Sequence, residues 1–185
     1  MASIDVIALE RRIRRRYEAA RLGRAVLGML PAAALVWLAV VIAARPSSTL
    51  LFGIAMLLGG VALLWYGREP RRALLPGLGA GIVPLGLALA ANAWGHVCTG
   101  SGCTTLCLPA CVAGGTIAGL LVASVGHRRR AGWGFWGTAS AIALLTGAMG
   151  CACIGLAGVG GLVLGFGAGL LPDLVRTFRD RAGSA

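Results

Sequence analysis

Residues 131–172 read AGWGFWGTASAIALLTGAMGCACIGLAGVGGLVLGFGAGLLP and contain no Asp, Glu, Lys or Arg. At 1.5 Å per residue one helix over that stretch would be about 60 Å long, twice the roughly 30 Å hydrocarbon core of a bilayer. The stretch is therefore two membrane spans folded back on each other, 132–150 and 152–171, with the turn expected at Gly150-Cys151-Ala152-Cys153. Working outward, four further uncharged apolar runs have the length a span needs, at 25–44, 49–66, 73–94 and 108–126. The fold class that follows is an all-α polytopic membrane protein with six transmembrane helices. Its parts are a head at 1–24, a transmembrane domain at 25–172 and a basic tail at 173–185.

Composition excludes the other classes. Of the 185 residues 58% are hydrophobic and only 12% charged, and the mean hydropathy is +0.85. A soluble domain carries about 25% charged residues and about 45–50% apolar ones, so this chain cannot cover itself with polar surface. Disorder requires the opposite bias, low hydrophobicity with high charge. The net charge of +11 comes entirely from arginine, with no lysine. Arg11, Arg12, Arg14, Arg15, Arg16, Arg21 and Arg24 precede the first span. Arg68, Arg71 and Arg72, then Arg128, Arg129 and Arg130, and finally Arg176, Arg179 and Arg181 occupy alternate connections and the tail. Only Arg45 falls on the other side. The positive-inside rule then places both termini in the cytoplasm of a bacterial inner membrane, and the charge needs no direct nucleic-acid partner. Ile42-Ala43-Ala44 has the small residues of a signal-peptide cleavage site. The apolar run before it exceeds the 7–15 residues of a signal core, and its removal would spoil the alternation, so the span is read as retained.

Within the spans, small residues and prolines carry the pattern. Ala157, Gly161, Gly165 and Gly169 recur every four residues in the last span, and Gly115 and Gly119 do so in the fourth. Helices in lipid associate by close backbone approach across small residues, so these faces are expected to pack within the bundle; a homodimer face is the alternative. Pro31 lies in the first span, and Pro76 and Pro84 lie in the third with Gly77, Gly79 and Gly81. These predict irregular helix: either a kink whose freed carbonyl finds a neighbour, or a broken helix lining a transport site.

Six cysteines gather toward one membrane face: Cys98, Cys103, Cys107, Cys111, Cys151 and Cys153. In an oxidising periplasm they are candidates for disulfides. Soft thiolates would also suit Cu(I) or Zn, with His96 two residues before Cys98, although the chain has no Cys-x-x-Cys. Inert thiols are the third reading. Neighbours at i and i+4 are poor partners in a regular helix, and Cys151 with Cys153 would close a strained ring. The expected bridges join Cys98 or Cys103 to Cys107 or Cys111, or tie that loop to the turn at Cys151 and Cys153. His127, among three arginines, reads as a solvated loop residue.

The head carries an apolar stripe at Val6, Leu9, Ile13, Tyr17 and Ala20, at helical spacing. Ser3 or Asp5 is a candidate cap, and Glu10 stands four residues before Arg14. The helix either lies on anionic headgroups or docks a soluble partner through Val6, Leu9, Ile13 and Tyr17. No catalytic constellation is present: the acids Asp5, Glu10, Glu18, Glu69, Asp173 and Asp180 all lie outside the spans, in the arginine-bearing segments. A protein without a catalytic residue, a bound metal or a cofactor is expected, with a quinone-coupled disulfide oxidase as the weaker enzymatic reading.

Asp5-Val6-Ile7-Ala8-Leu9 in the head, six spans with minimal loops, and Gly147-Ala148-Met149-Gly150-Cys151 before a glycine-rich last span resemble the small six-span membrane anti-sigma factors of proteobacteria. The cysteines from Cys98 to Cys111 and the all-arginine head depart from that pattern. The resemblance implies a non-enzymatic regulator whose head, Val6 to Tyr17, holds a cytoplasmic sigma factor while the spans sense a signal. A small transporter or a thiol- or metal-handling membrane protein is the competing expectation.

Overall fold

The computed structural model describes residues 2–42, 46–66, 68–94, 96–99, 102–152 and 155–182. Among them are seven helices and one hairpin. In chain order these are α1 (Ala2–Gly28), α2 (Leu30–Ile42), α3 (Pro46–Tyr66), α4 (Arg68–Trp94), β1 (His96–Thr99), β2 (Gly102–Thr105), α5 (Cys107–Arg128), α6 (Trp133–Cys151) and α7 (Leu156–Ala182). Five of the helices, α3 to α7, contain segments long and apolar enough to cross a membrane. The protein is thus a multi-pass helical membrane protein. The sixth run is divided: Ala8–Gly28 and Leu30–Ile42 pass the same test only together and meet at 43°.

Pro31 accounts for that division. It sits at the second residue of α2 and offers no N–H to the preceding turn. The ladder tightens there, with the Met29 amide donating to the Val26 carbonyl at 3.0 Å, and restarts with the Ala33 amide on the Met29 carbonyl at 2.9 Å. Pro76 and Pro84 act differently, because α4 stays helical through both. Pro84 is buried, and a Cβ at Gly114 of α5 would lie 2.7 Å from its Cα, one at Gly147 of α6 2.8 Å from its ring. The two glycines accommodate the proline, and the helix is not broken there.

The helices close through glycine. In α5, a Cβ on Gly115 would strike the Leu162 carbonyl oxygen, and one on Gly119 the Phe166 carbonyl oxygen and, at 3.1 Å, the Gly169 Cα. From α7, Gly165 meets the Val112 carbonyl and Gly169 the Thr116 carbonyl, while Gly161 receives Leu108 and Val112. Ala157 is exposed, outside this contact. A second seam joins α4 to α6. Cβ atoms on Gly77 and Gly81 would lie 2.9 Å from the Ala139 carbonyl and 2.8 Å from the Ala143 carbonyl. Gly79, between them, meets nothing. Around these seams Met56, Leu78, Ile142 and Met149 form one core, and Phe135, Val122 and Phe166 another.

Two local expectations are corrected. The α6–α7 turn does not begin at Gly150, which is helical and lets α6 approach Leu85 and Ala88 of α4. It uses Ala152 and Gly155 instead, the latter at φ +76°, a conformation that costs glycine nothing. The head helix starts at Ala2, so Ser3 and Asp5 lie inside it, and it continues past residue 24 into the first apolar run. The all-helical architecture carries one short addition, the antiparallel hairpin of β1 and β2 between α4 and α5.

Candidate functional site

The helices sort two chemistries to opposite ends of the bundle. At the end where α5 begins and α6 finishes stand the cysteines. Cys111 sits one turn below Cys107 on α5, and α6 delivers Cys151 opposite it. Cys111 and Cys151 are each 0% exposed and share a packed cluster with Ala88, Ala148 and Leu162. Their side chains pack together in that cluster. This closeness depends on small neighbours: Gly114, Gly147 and Gly150 bring α4, α5 and α6 together within a turn of the two sulfurs. Cys107, Cys111 and Cys151 are not joined in disulfides, and Cys107 is buried at 8% exposure one turn from Cys111.

Cys98 and Cys103 occupy the hairpin that leads into α5. The register sets them directly opposite each other, between the pairs Val97 with Thr104 and Thr99 with Gly102. The expected bridges run from this loop to Cys107 or Cys111, or to the turn at Cys151 and Cys153, and Cys98 opposite Cys103 is not among them. The available signal was Gly100-Ser101 between two β-branched stretches, a two-residue hairpin connection. Cys153 lies outside the described residues. Among the described residues no three His, Cys, Asp or Glu side chains converge on a point where a metal ion could sit. A buried pair of thiols can lose two electrons to become a disulfide, or give two-coordinate ligation to a soft ion; it offers too few ligands for a closed tetrahedral zinc site.

The other end carries the arginines. Arg21 of α1 donates to the Trp65 carbonyl at the end of α3. Arg129, after α5, donates to the Arg72 carbonyl at the start of α4 at 3.4 Å. The α5–α6 connection closes with the Ala131 amide on the Gly126 carbonyl and the Arg130 amide on the His127 carbonyl, with Arg130 at φ 44°. His127 lies in the last turn of α5 and is exposed. On α1 the head residues Leu9, Ile13 and Tyr17 are 57%, 60% and 63% exposed. Val6 belongs to the same helix, and its side chain lies outside the described residues. Arg14 pairs forward with Glu18 at 3.8 Å, not back with Glu10. That pair is solvent-exposed and adds little to stability.

Helix α3 runs between the two ends. Near its start the Thr49 hydroxyl donates to the Met149 carbonyl of α6 at 3.1 Å, two residues before Cys151. About two turns on, the Met56 sulfur lies 3.1 Å from the Thr146 hydroxyl of α6, which donates to the Ile142 carbonyl at 2.7 Å. At its far end Trp65 accepts from Arg21 of the head. Sequence reasoning missed these links because threonine in an apolar run carries no marker of the helix it will meet.

No protein-family model matches the chain, and neither a curated protein nor a solved structure does. The fold and its two ends define the class, a multi-pass helical membrane protein with a buried thiol pair at one end and an arginine-rich helical head at the other.

Proposed function

We propose that this protein is a non-enzymatic regulator of a bacterial inner membrane, with six spans and both termini cytoplasmic, whose head captures a soluble partner. The observation that carries the reading is the apolar stripe of Leu9, Ile13 and Tyr17, left open on α1, which meets α2 at 43°. A stripe flanked by arginines suits an amphipathic groove with an acidic rim. The resemblance to six-span anti-sigma factors makes a sigma factor the partner of choice. In this reading the thiol end is the sensor. A periplasmic disulfide donor would take two electrons and two protons from Cys111 and Cys151, forming one S–S bond while its own disulfide is reduced to two thiols. The bond would pull α6 against α5, and α3, held to both α6 and the head, would carry the shift to the cytoplasmic side.

Deleting residues 2–16 in the full chain and measuring recovery of the cytoplasmic partner by affinity capture tests the proposal. Loss of the partner with membrane insertion unchanged is the expected result. Unchanged recovery, or no partner with the intact chain, overturns it. The buried Cys111–Cys151 pair favours one second reading, a membrane protein that handles thiols or a soft metal ion. That reading expects solute flux or metal retention indifferent to the deletion.

A further inference from the structure

A cleft of about 540 Å³ opens between α1, α3 and α4 at the arginine end. Its walls divide by chemistry. Tyr17, Arg21, Arg24 and Arg71 supply the polar part, and Leu64, Leu74 and Leu75 the apolar floor. None of the residues described as lining it is acidic. Three arginines therefore line one cleft with no carboxylate among its described lining residues, which raises a positive potential and draws an anion. The depth of the cleft is set by the spans: the apolar segment of α3 ends at Trp65 and that of α4 begins at Arg71. The arginines thus stand at the boundary between hydrocarbon and water, with the leucines one turn deeper. Leu75 is 72% exposed, a cost in water that acyl chains would remove. A free phosphate would satisfy the arginines and leave the leucines uncovered; a phospholipid covers both.

We infer that this cleft binds the phosphate headgroup of an anionic phospholipid through Arg21, Arg24 and Arg71, with its chains lying over Leu64 and Leu75. Arginine suits the task because its planar fork meets two phosphate oxygens at once. Arg21 is already held in place by the Trp65 carbonyl, so one donor of the site is positioned before the lipid arrives. Bound there, the lipid would fix the base of the head helix against α3 and α4 and leave Leu9 and Ile13 beyond it. The inference does not depend on the head's having a protein partner.

The full chain in neutral detergent, dosed with phosphatidylglycerol or with phosphatidylcholine and read by native mass spectrometry, tests it. One phosphatidylglycerol per chain should be retained well above the phosphatidylcholine background. Arg24→Gln and Arg71→Gln should each weaken retention roughly fivefold, the worth of one basic residue at an anionic surface. Arg71→Lys, which keeps the charge and loses the fork, should fall between. Arg128→Gln with Arg130→Gln, outside the cleft, should leave it unchanged. Equal retention of the two lipids by the unmodified chain overturns the inference whether or not the variants fold. So does equal loss in the Arg128 and Arg130 variant, which would mean diffuse surface charge. Inorganic phosphate that displaces the lipid at matched concentration would show a simple anion site instead.

Discussion

Gly165 and Gly167 stand two residues apart on α7 and meet opposite surroundings. The first rests against the Val112 carbonyl; the second has nothing within 4 Å. Gly165→Ala should destabilise the bundle by about 1–3 kcal/mol, the usual cost of overpacking. Gly167→Ala should be neutral or stabilising by up to about 1 kcal/mol through helix propensity. Denaturation of the two variants in mixed micelles against the unmodified chain measures both. For comparison, a side-chain hydrogen bond between membrane helices averages about 0.6 kcal/mol, so the Thr49–Met149 link contributes less than one glycine contact. The cysteines make a second prediction at this scale. Mild oxidation of the purified chain should yield a peptide cross-linked through Cys111 and Cys151, while Cys107 remains open to alkylation. A product joining Cys107 to Cys151 would contradict the pairing seen in the packed cluster.

Among the elements, the hairpin makes the clearest demand. Directly opposite residues of an antiparallel pair lie about 4.5–5.5 Å apart at Cα, inside the 4.4–6.8 Å range of disulfides. With Cys98 registered on Cys103, that loop should close on itself under oxidation, leaving α5 free to pair with α6. Peptide mapping should find the Cys98–Cys103 bridge in preference to any bridge from the hairpin to Cys107. The prolines teach a related lesson about elements. The same residue type divides the first apolar run at Pro31 and leaves α4 intact at Pro84. The difference is position and surroundings: Pro31 falls in the first turn of a helix, and Pro84 inside one whose neighbours offer glycine. Continuity of α4 also weighs against a broken-helix transport site built on Gly77 and Gly81, since those glycines are occupied by the α6 backbone.

For the molecule as a whole, the separation of thiols from arginines is the property to test. Topology reporters inserted at Gly100 and Arg129 should report opposite sides of the membrane, with Arg129 cytoplasmic. The same side for both would remove the six-span arrangement and the proposed sensor geometry with it. The division at Met29 adds a refinement: the first crossing would be made by the last turn of α1 together with α2, at an angle to the head.

Much of this was legible in the residues alone. Uncharged runs of span length, and arginines confined to alternate connections, follow from the cost of burying charge and unpaired backbone in hydrocarbon, a cost each segment meets locally. The same holds for the exposed head stripe, which needs only helical periodicity. Partnership was not legible. Spacing shows that Gly161, Gly165 and Gly169 share a face, but Gly77 and Gly81 share one equally well, and only the assembled bundle matches the first set to α5 and the second to α6. Six cysteines likewise admit many neighbours, and only the hairpin register sets Cys98 opposite Cys103 and only the α5–α6 contact sets Cys111 beside Cys151. In lipid every apolar face is equally content with acyl chains. Which helix meets which is therefore decided by complementary backbone shape across several segments at once, a quantity that exists only in the tertiary structure.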